Sequence, residues 1–138
     1  MYFRFIFGFI IISMMQGCLT QADQQQHAGK MINQLHQAIQ LQQWDNAIQL
    51  FDPSFFKSEP QNIWKQKLIT LQDTLGAIKG FNIISSSKDP RFGGDFYIYI
   101  ISVQHEHGFS HETITIFKGL DERPLMVTGY QIRAQKNQ

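Results

Sequence analysis

Cysteine is almost absent: the 138-residue chain contains one, Cys18. No internal disulfide can form, so the domain must hold together by its core alone. An excess of charge of either sign is missing too, since 12 Lys and Arg face 11 Asp and Glu, a net +1. Without a basic stripe there is no electrostatic footprint for nucleic acid, and no nucleic-acid partner is expected. Glycine-rich phosphate loops and nucleophile elbows are lacking as well: Gly93-Gly94 reads as turn chemistry and Ser85 to Ser87 as a strand end. No cofactor motif is present. Past the N-terminus the longest apolar run, Tyr97 to Val103, falls far short of the roughly 20 residues that span a bilayer. No internal repeat occurs. What remains is a chain with 43% apolar residues, enough for one ordinary domain.

The N-terminus is the exception. Residues 1–12, MYFRFIFGFIII, place one cation, Arg4, before a short run of Phe and Ile. That is the layout of a secretory signal. It leads into MMQGC, with Gly17 directly before Cys18. A small residue before a cysteine at the end of an apolar segment resembles a bacterial lipoprotein signal, although Met15 and Gln16 depart from its commonest residues. The resemblance implies removal of residues 1–17 and acylation of Cys18, with several acyl chains giving a stable anchor. Leu19 is not the aspartate that tends to retain such proteins at the inner membrane, which implies the outer membrane, facing the periplasm. An ordinary cleaved signal or a signal anchor with an incidental cysteine is the plainer alternative.

Residues 18–27 are polar and Gln-rich and read as a tether from lipid to domain. From residue 28 to 135 the pattern is that of one domain. Ala28, Met31, Ile32, Leu35 and Ile39 recur at the spacing of one helix face. Trp44, Ala47, Ile48 and Phe51 predict a short second helix ending at Asp52-Pro53. Ser58 and Gln61 form a potential capping box for a third, with Trp64, Leu68, Leu71 and Leu75 as its stripe and Gly76 or Gly80 as its end. Beyond Gly80 the period drops to two. Strands are expected at FNIIS, FYIYIISVQHEH, HETITIFK and LMVTGYQIR, with SSKDPRFGGD as a loop after the first.

Three N-terminal helices followed by about four antiparallel strands predict an α+β domain whose helices cover one face of a curved sheet. The phrases WDNAIQLFDPSF, LGAIKG, HETITIF and VTGYQI, in this order, resemble the nuclear-transport-factor-2-like superfamily, with its cone-shaped, cystatin-like fold. Within it the chain is similar to small secreted bacterial domains of unknown function. Pro124-Leu125 stands where that group commonly has a tryptophan. The resemblance implies a cone interior that takes a small apolar ligand and a sheet through which such domains pair.

Two clusters carry possible chemistry. With Gly108-Phe109 at a hairpin tip, His105, His107 and Glu112 share one face, two imidazoles and a carboxylate suited to zinc or copper. The plainer reading is a polar hairpin end. The superfamily also includes pocket isomerases and dehydratases, so Tyr97, Tyr99 and Tyr130 with Glu112 or Asp95 are the candidate pocket residues. Tyr99, Ile101 and Val103 fall on one face with Ile114 and Ile116, while Phe96, Ile98, Ile100 and Phe117 fall on the other. A general base needs burial and a partner, and core tyrosines are the commoner case. The expected function is a lipid-anchored, non-catalytic binding or interaction module of the envelope. It would pair with itself or with another envelope protein, and a small pocket enzyme acting on an apolar substrate is the alternative.

Overall fold

The computed structural model describes residues 19–137. Helix α1 (Leu19–Gln40), α2 (Trp44–Ile48), a single 3-10 turn (Pro53–Lys57) and α3 (Gln61–Leu75) precede four strands, β1 (Ile78–Arg91), β2 (Gly94–His105), β3 (Gly108–Gly119) and β4 (Met126–Lys136). The strands form one antiparallel sheet in the order β1-β2-β3-β4. Helices packed on one face of an open sheet make this an α+β fold.

The helical side of α1 that meets the sheet is Ala28, Ile32, Leu35, His36 and Ile39, each at most 2% exposed. From the sheet, alternate residues of β2 and β3 meet it: Tyr97, Tyr99, Ile101, Val103, Ile114 and Ile116, all buried. The expected sharing of one face by these strand residues is what the register produces, Tyr99 lying opposite Ile114 and Tyr97 opposite Ile116. Phe51, Phe55, Trp64 and Tyr130 close the other end of the core as an aromatic cluster, with Trp64 stacked on Tyr130 at 5.9 Å. The 3-10 turn is capped by Asp52, whose carboxylate accepts from Ser54 N at 2.8 Å. Asp52 N donates to Val127 O and so clips this segment to β4.

Several expectations are corrected. The polar stretch 19–27 is helical and continuous with α1. Ser58 does not cap α3: Pro60 holds the N-cap position and no side-chain bond forms there. Gln72, rather than Leu71, lies on the buried side of α3, because the sheet selects the i+4 neighbour of Leu68. The supposed loop 86–95 is mostly strand: β1 runs 14 residues to Arg91, and only Phe92 and Gly93 turn the chain. Turn-forming residues yield there to a continuous ladder with β2, in which Ser86, Ser87 and Lys88 pair with Tyr99, Ile98 and Tyr97. The second hairpin turns at Glu106-His107, four residues out of the expected register, with His105 opposite Gly108. Gly108 is needed for proximity and not for turning, since a Cβ there would stand 2.2 Å from Gln135 O on β4. The turn itself is fastened to the α3–β1 corner, with His107 N on Leu75 O and Ala77 N on the Glu106 carboxylate.

Candidate functional site

A polar chain crosses the interior between α1 and the sheet. Glu112, on β3, points inward among the apolar residues because its neighbours two positions away, Ser110 and Ile114, do. Its Oε2 accepts from Tyr130 Oη at 2.7 Å and meets His36 Nε2 at 2.9 Å, and its Oε1 accepts from Ser110 Oγ at 2.9 Å. His105 Nε2 reaches the same serine oxygen at 3.1 Å. The chain ends on backbone carbonyls at both sides: His36 Nδ1 on Ile32 O at 2.9 Å and His105 Nδ1 on Gly76 O at 3.2 Å. These five side chains are each at most 4% exposed.

Proton counting gives the polarity. Ser110 has one proton, which goes to Glu112, so its oxygen is left to accept from His105. Both nitrogens of His105 and both of His36 therefore face oxygen atoms. Burial works to raise the Glu112 pKa, but the hydrogen bonds from His36, Tyr130 and Ser110 and the positive charge of His36 outweigh it. The carboxyl is held below its usual value. Tyr130 moves the other way: burial, the Glu112 charge and the bond to it push the phenol well above its ordinary value. The tyrosine is thus a committed donor. Phe81 stacks on the His36 ring at 4.5 Å and fixes its plane.

Of the expected pocket residues, Glu112 and Tyr130 meet directly. Tyr99 lies apart and donates to Gln25 O at 3.0 Å, tying the first turns of α1 to β2. Tyr97 is buried beside the end of the sheet where Lys88 and Asp95 pair at 2.9 Å, so Asp95 is a rim residue and not an interior base. Burial raises both the Tyr97 and the Tyr99 phenols. The metal trio is not assembled. His107 sits exposed in the turn, whereas His105 and Glu112 are joined only through Ser110. Among the described residues no three His, Cys, Asp or Glu side chains gather as metal ligands. Cys18 lies outside the described residues.

Sequence reasoning missed His36 and Ser110. The signal for His36 was present, because it stands four residues after Ile32 on the apolar face of α1 and a polar side chain there requires an interior partner. Outside the network, a surface groove of about 470 Å³ between α1 and the start of β1 is lined by Asn33, Gln37, Gln40, Lys79 and Phe81, with His36 beneath them. No interior tyrosine lines it.

No family model matches the chain, and no curated protein does. Among solved structures it is similar to Bdellovibrio bacteriovorus Bd1075, with a TM-score of 0.59 and 13% identity. The match covers 88% of this chain and 44% of that one, so the chain spans under half the length of that protein. At this identity the likeness concerns the fold alone. Among the described residues no helix is long and apolar enough to cross a membrane.

Proposed function

We propose that the protein is a lipid-anchored envelope protein whose domain, of the nuclear-transport-factor-2-like type, acts as a non-catalytic binding or interaction module. The observation that carries the non-catalytic reading is the closure of the interior network. Both oxygens of Glu112 are engaged by three donors, and Tyr130, Ser110, His36 and His105 are spent on one another and on carbonyls. A carboxylate so engaged is a weak base and has no reach to a substrate. Its role is to fix α1 against the sheet.

The outer sheet face supports the binding half of the reading. Phe96 and Phe117 pack ring to ring at 4.7 Å there, next to half-buried Ile98 and to Ile100, which is 43% exposed. An uncovered apolar face of this kind is a contact surface for a protein partner, a second copy or an envelope protein. The anchor is Cys18, with the outer membrane as its location. Acylation is tested by growth with labelled fatty acid: the label is expected on the wild type and absent from Cys18→Ser, and label on the variant would refute the anchor. Native mass spectrometry of protein extracted from its own envelope tests the rest. A bare or protein-bound domain is expected, and a stoichiometric small molecule would refute the interaction module.

One observation favours the alternative, a pocket enzyme acting on an apolar substrate: His36 touches both the groove and Glu112. That reading requires the groove to open inward to Tyr130. A ligand that protects His36 from modification and is lost with Tyr130→Phe would establish it.

A further inference from the structure

The end of the sheet formed by the β1–β2 turn and the β3–β4 loop carries two large apolar side chains with no cover. Phe92 is fully exposed and Leu120 is 84% exposed. They belong to one surface, because Leu120 N donates to Gly93 O at 3.1 Å. Neither side chain contributes to the core, and an apolar pair at the tip of two adjoining turns is costly in water unless something takes it up.

The course of α1 shows what lies at that end. Gln40 donates to Ile78 O at the start of β1, and Gln25 donates to the Ser86 hydroxyl, Oγ, farther along it, so α1 runs antiparallel to β1 with its N-terminus toward the turn. From Gln25 the helix continues to Leu19, about 9 Å at 1.5 Å per residue, in the direction of Phe92. The residue before Leu19 is Cys18. The helix start and the two apolar turns thus lie toward the same end of the domain.

We propose that this end is the membrane-facing surface of the protein, with Phe92 and Leu120 seated in the interfacial region of a lipid bilayer beside the acylated N-terminus. The proposal rests on the anchor reading for the bilayer's proximity. Charge defines the kind of surface. Arg91 pairs with Asp89, Lys88 with Asp95 and Arg123 with Asp121, while Lys118 is taken up by the carbonyls of Asp121 and Arg123. With Glu122 in the same loop, four cations face four carboxylates among the described residues at this end, and no surplus is left to seek anionic lipid. Contact is apolar, so a zwitterionic bilayer suffices and salt does not weaken it. Seating also orients the domain: the Glu106-His107 turn, at the opposite end of β2, points away from the membrane.

The test uses the full chain, processed by a bacterial host and reconstituted into phosphatidylcholine and phosphatidylethanolamine vesicles. Phe92→Cys, Leu120→Cys and, at the far end, His107→Cys are each labelled with an environment-sensitive fluorophore, and the mass of the intact protein reports whether Cys18 is acylated. Where Cys18 is unmodified, the labels are placed in the Cys18→Ser background. That result refutes the anchor, and the label readings still decide the tip. Blue-shifted emission at 92 and 120, quenched about twofold or more over position 107 by lipid spin-labelled at the depth of roughly 5–10 Å, is expected at low and high salt alike. Labels at 92 and 120 that stay in water on an acylated protein overturn the proposal while leaving the anchor intact. Equal quenching at all three positions, or a shift that appears only when envelope proteins are added, overturns it as well, the latter assigning the tip to a protein partner.

Discussion

Replacing Glu112 by leucine removes the acceptor shared by three buried donors, His36 Nε2, Tyr130 Oη and Ser110 Oγ. Leucine fills similar space, so the loss is one of hydrogen bonding and charge and not of packing. Breaking a buried, hydrogen-bonded charge pair by removing one partner costs about 3–5 kcal/mol. For a domain of this size each kcal/mol lowers the melting temperature by about 4 °C, so Glu112→Leu is expected to melt about 12–20 °C below the wild type. Glu112→Gln is milder. Its amide oxygen can accept from Tyr130 and His36 while its NH₂ can donate to Ser110 Oγ. What stays uncompensated is the charge opposite His36, a loss of about 1–3 kcal/mol. The assay is equilibrium denaturation of wild type, both variants, His36→Leu and the double variant His36→Leu with Glu112→Leu. The double variant is expected to recover about 2 kcal/mol relative to the sum of the singles, because it leaves fewer orphaned groups. Wild-type stability in Glu112→Leu, or strict additivity in the double variant, would refute the reasoning that the network is desolvated and internally satisfied.

Further outcomes are expected from other parts of the structure. The folded-state pKa of Glu112 is depressed, so its contribution is complete above the unfolded carboxylate value of about 4.3 and is lost as pH falls through the lower folded value. The stability gap between wild type and Glu112→Gln should therefore hold steady from about pH 6 to pH 5 and shrink below about pH 4; a gap that widens on acidification contradicts this. Gly76→Ala should cost about 1–3 kcal/mol in urea denaturation, because Gly76 has φ +80° and a Cβ there would lie 2.7 Å from Glu106 side-chain atoms; no measurable loss would count against the closeness of that corner. Tyr99→Phe should cost about 1 kcal/mol and speed hydrogen exchange in the first turns of α1, where its hydroxyl holds Gln25 O; uniform exchange across the helix would argue against that attachment. Phe92→Ser should leave stability within about 0.5 kcal/mol, since the ring is fully exposed; a marked loss would place the ring in the core.

The parts of the fold legible in the sequence were those written in periodicity. The stripe from Ala28 to Ile39 and the alternation through Tyr97 to Val103 each require a single buried side, and the structure uses those sides. Glu112 and Tyr130 were candidates through the family resemblance, and Glu112 keeps the face of Ile114 although the hairpin register was wrong by four residues, because an even slip leaves every side chain on its face. The tip was misplaced because Gly108 looks like turn chemistry locally, while its function is to admit β4. The length of β1 was hidden for a related reason: Ser86 to Pro90 have little strand preference, and only the ladder offered by β2 makes them extended. His36 and Ser110 escaped notice because each is polar at an apolar position, and nothing local says that its partner waits on another element.

Ser110 stands between two neighbours with a single proton to give. That proton goes to Glu112, so the serine oxygen faces His105 Nε2 while His105 Nδ1 faces Gly76 O on the other side. Gly76 O, a carbonyl, can only accept, so the far end of this chain keeps its direction whatever the serine hydroxyl does. The α3–β1 corner is therefore joined to Glu112 through one serine hydroxyl, and Ser110→Ala would separate the two without altering either.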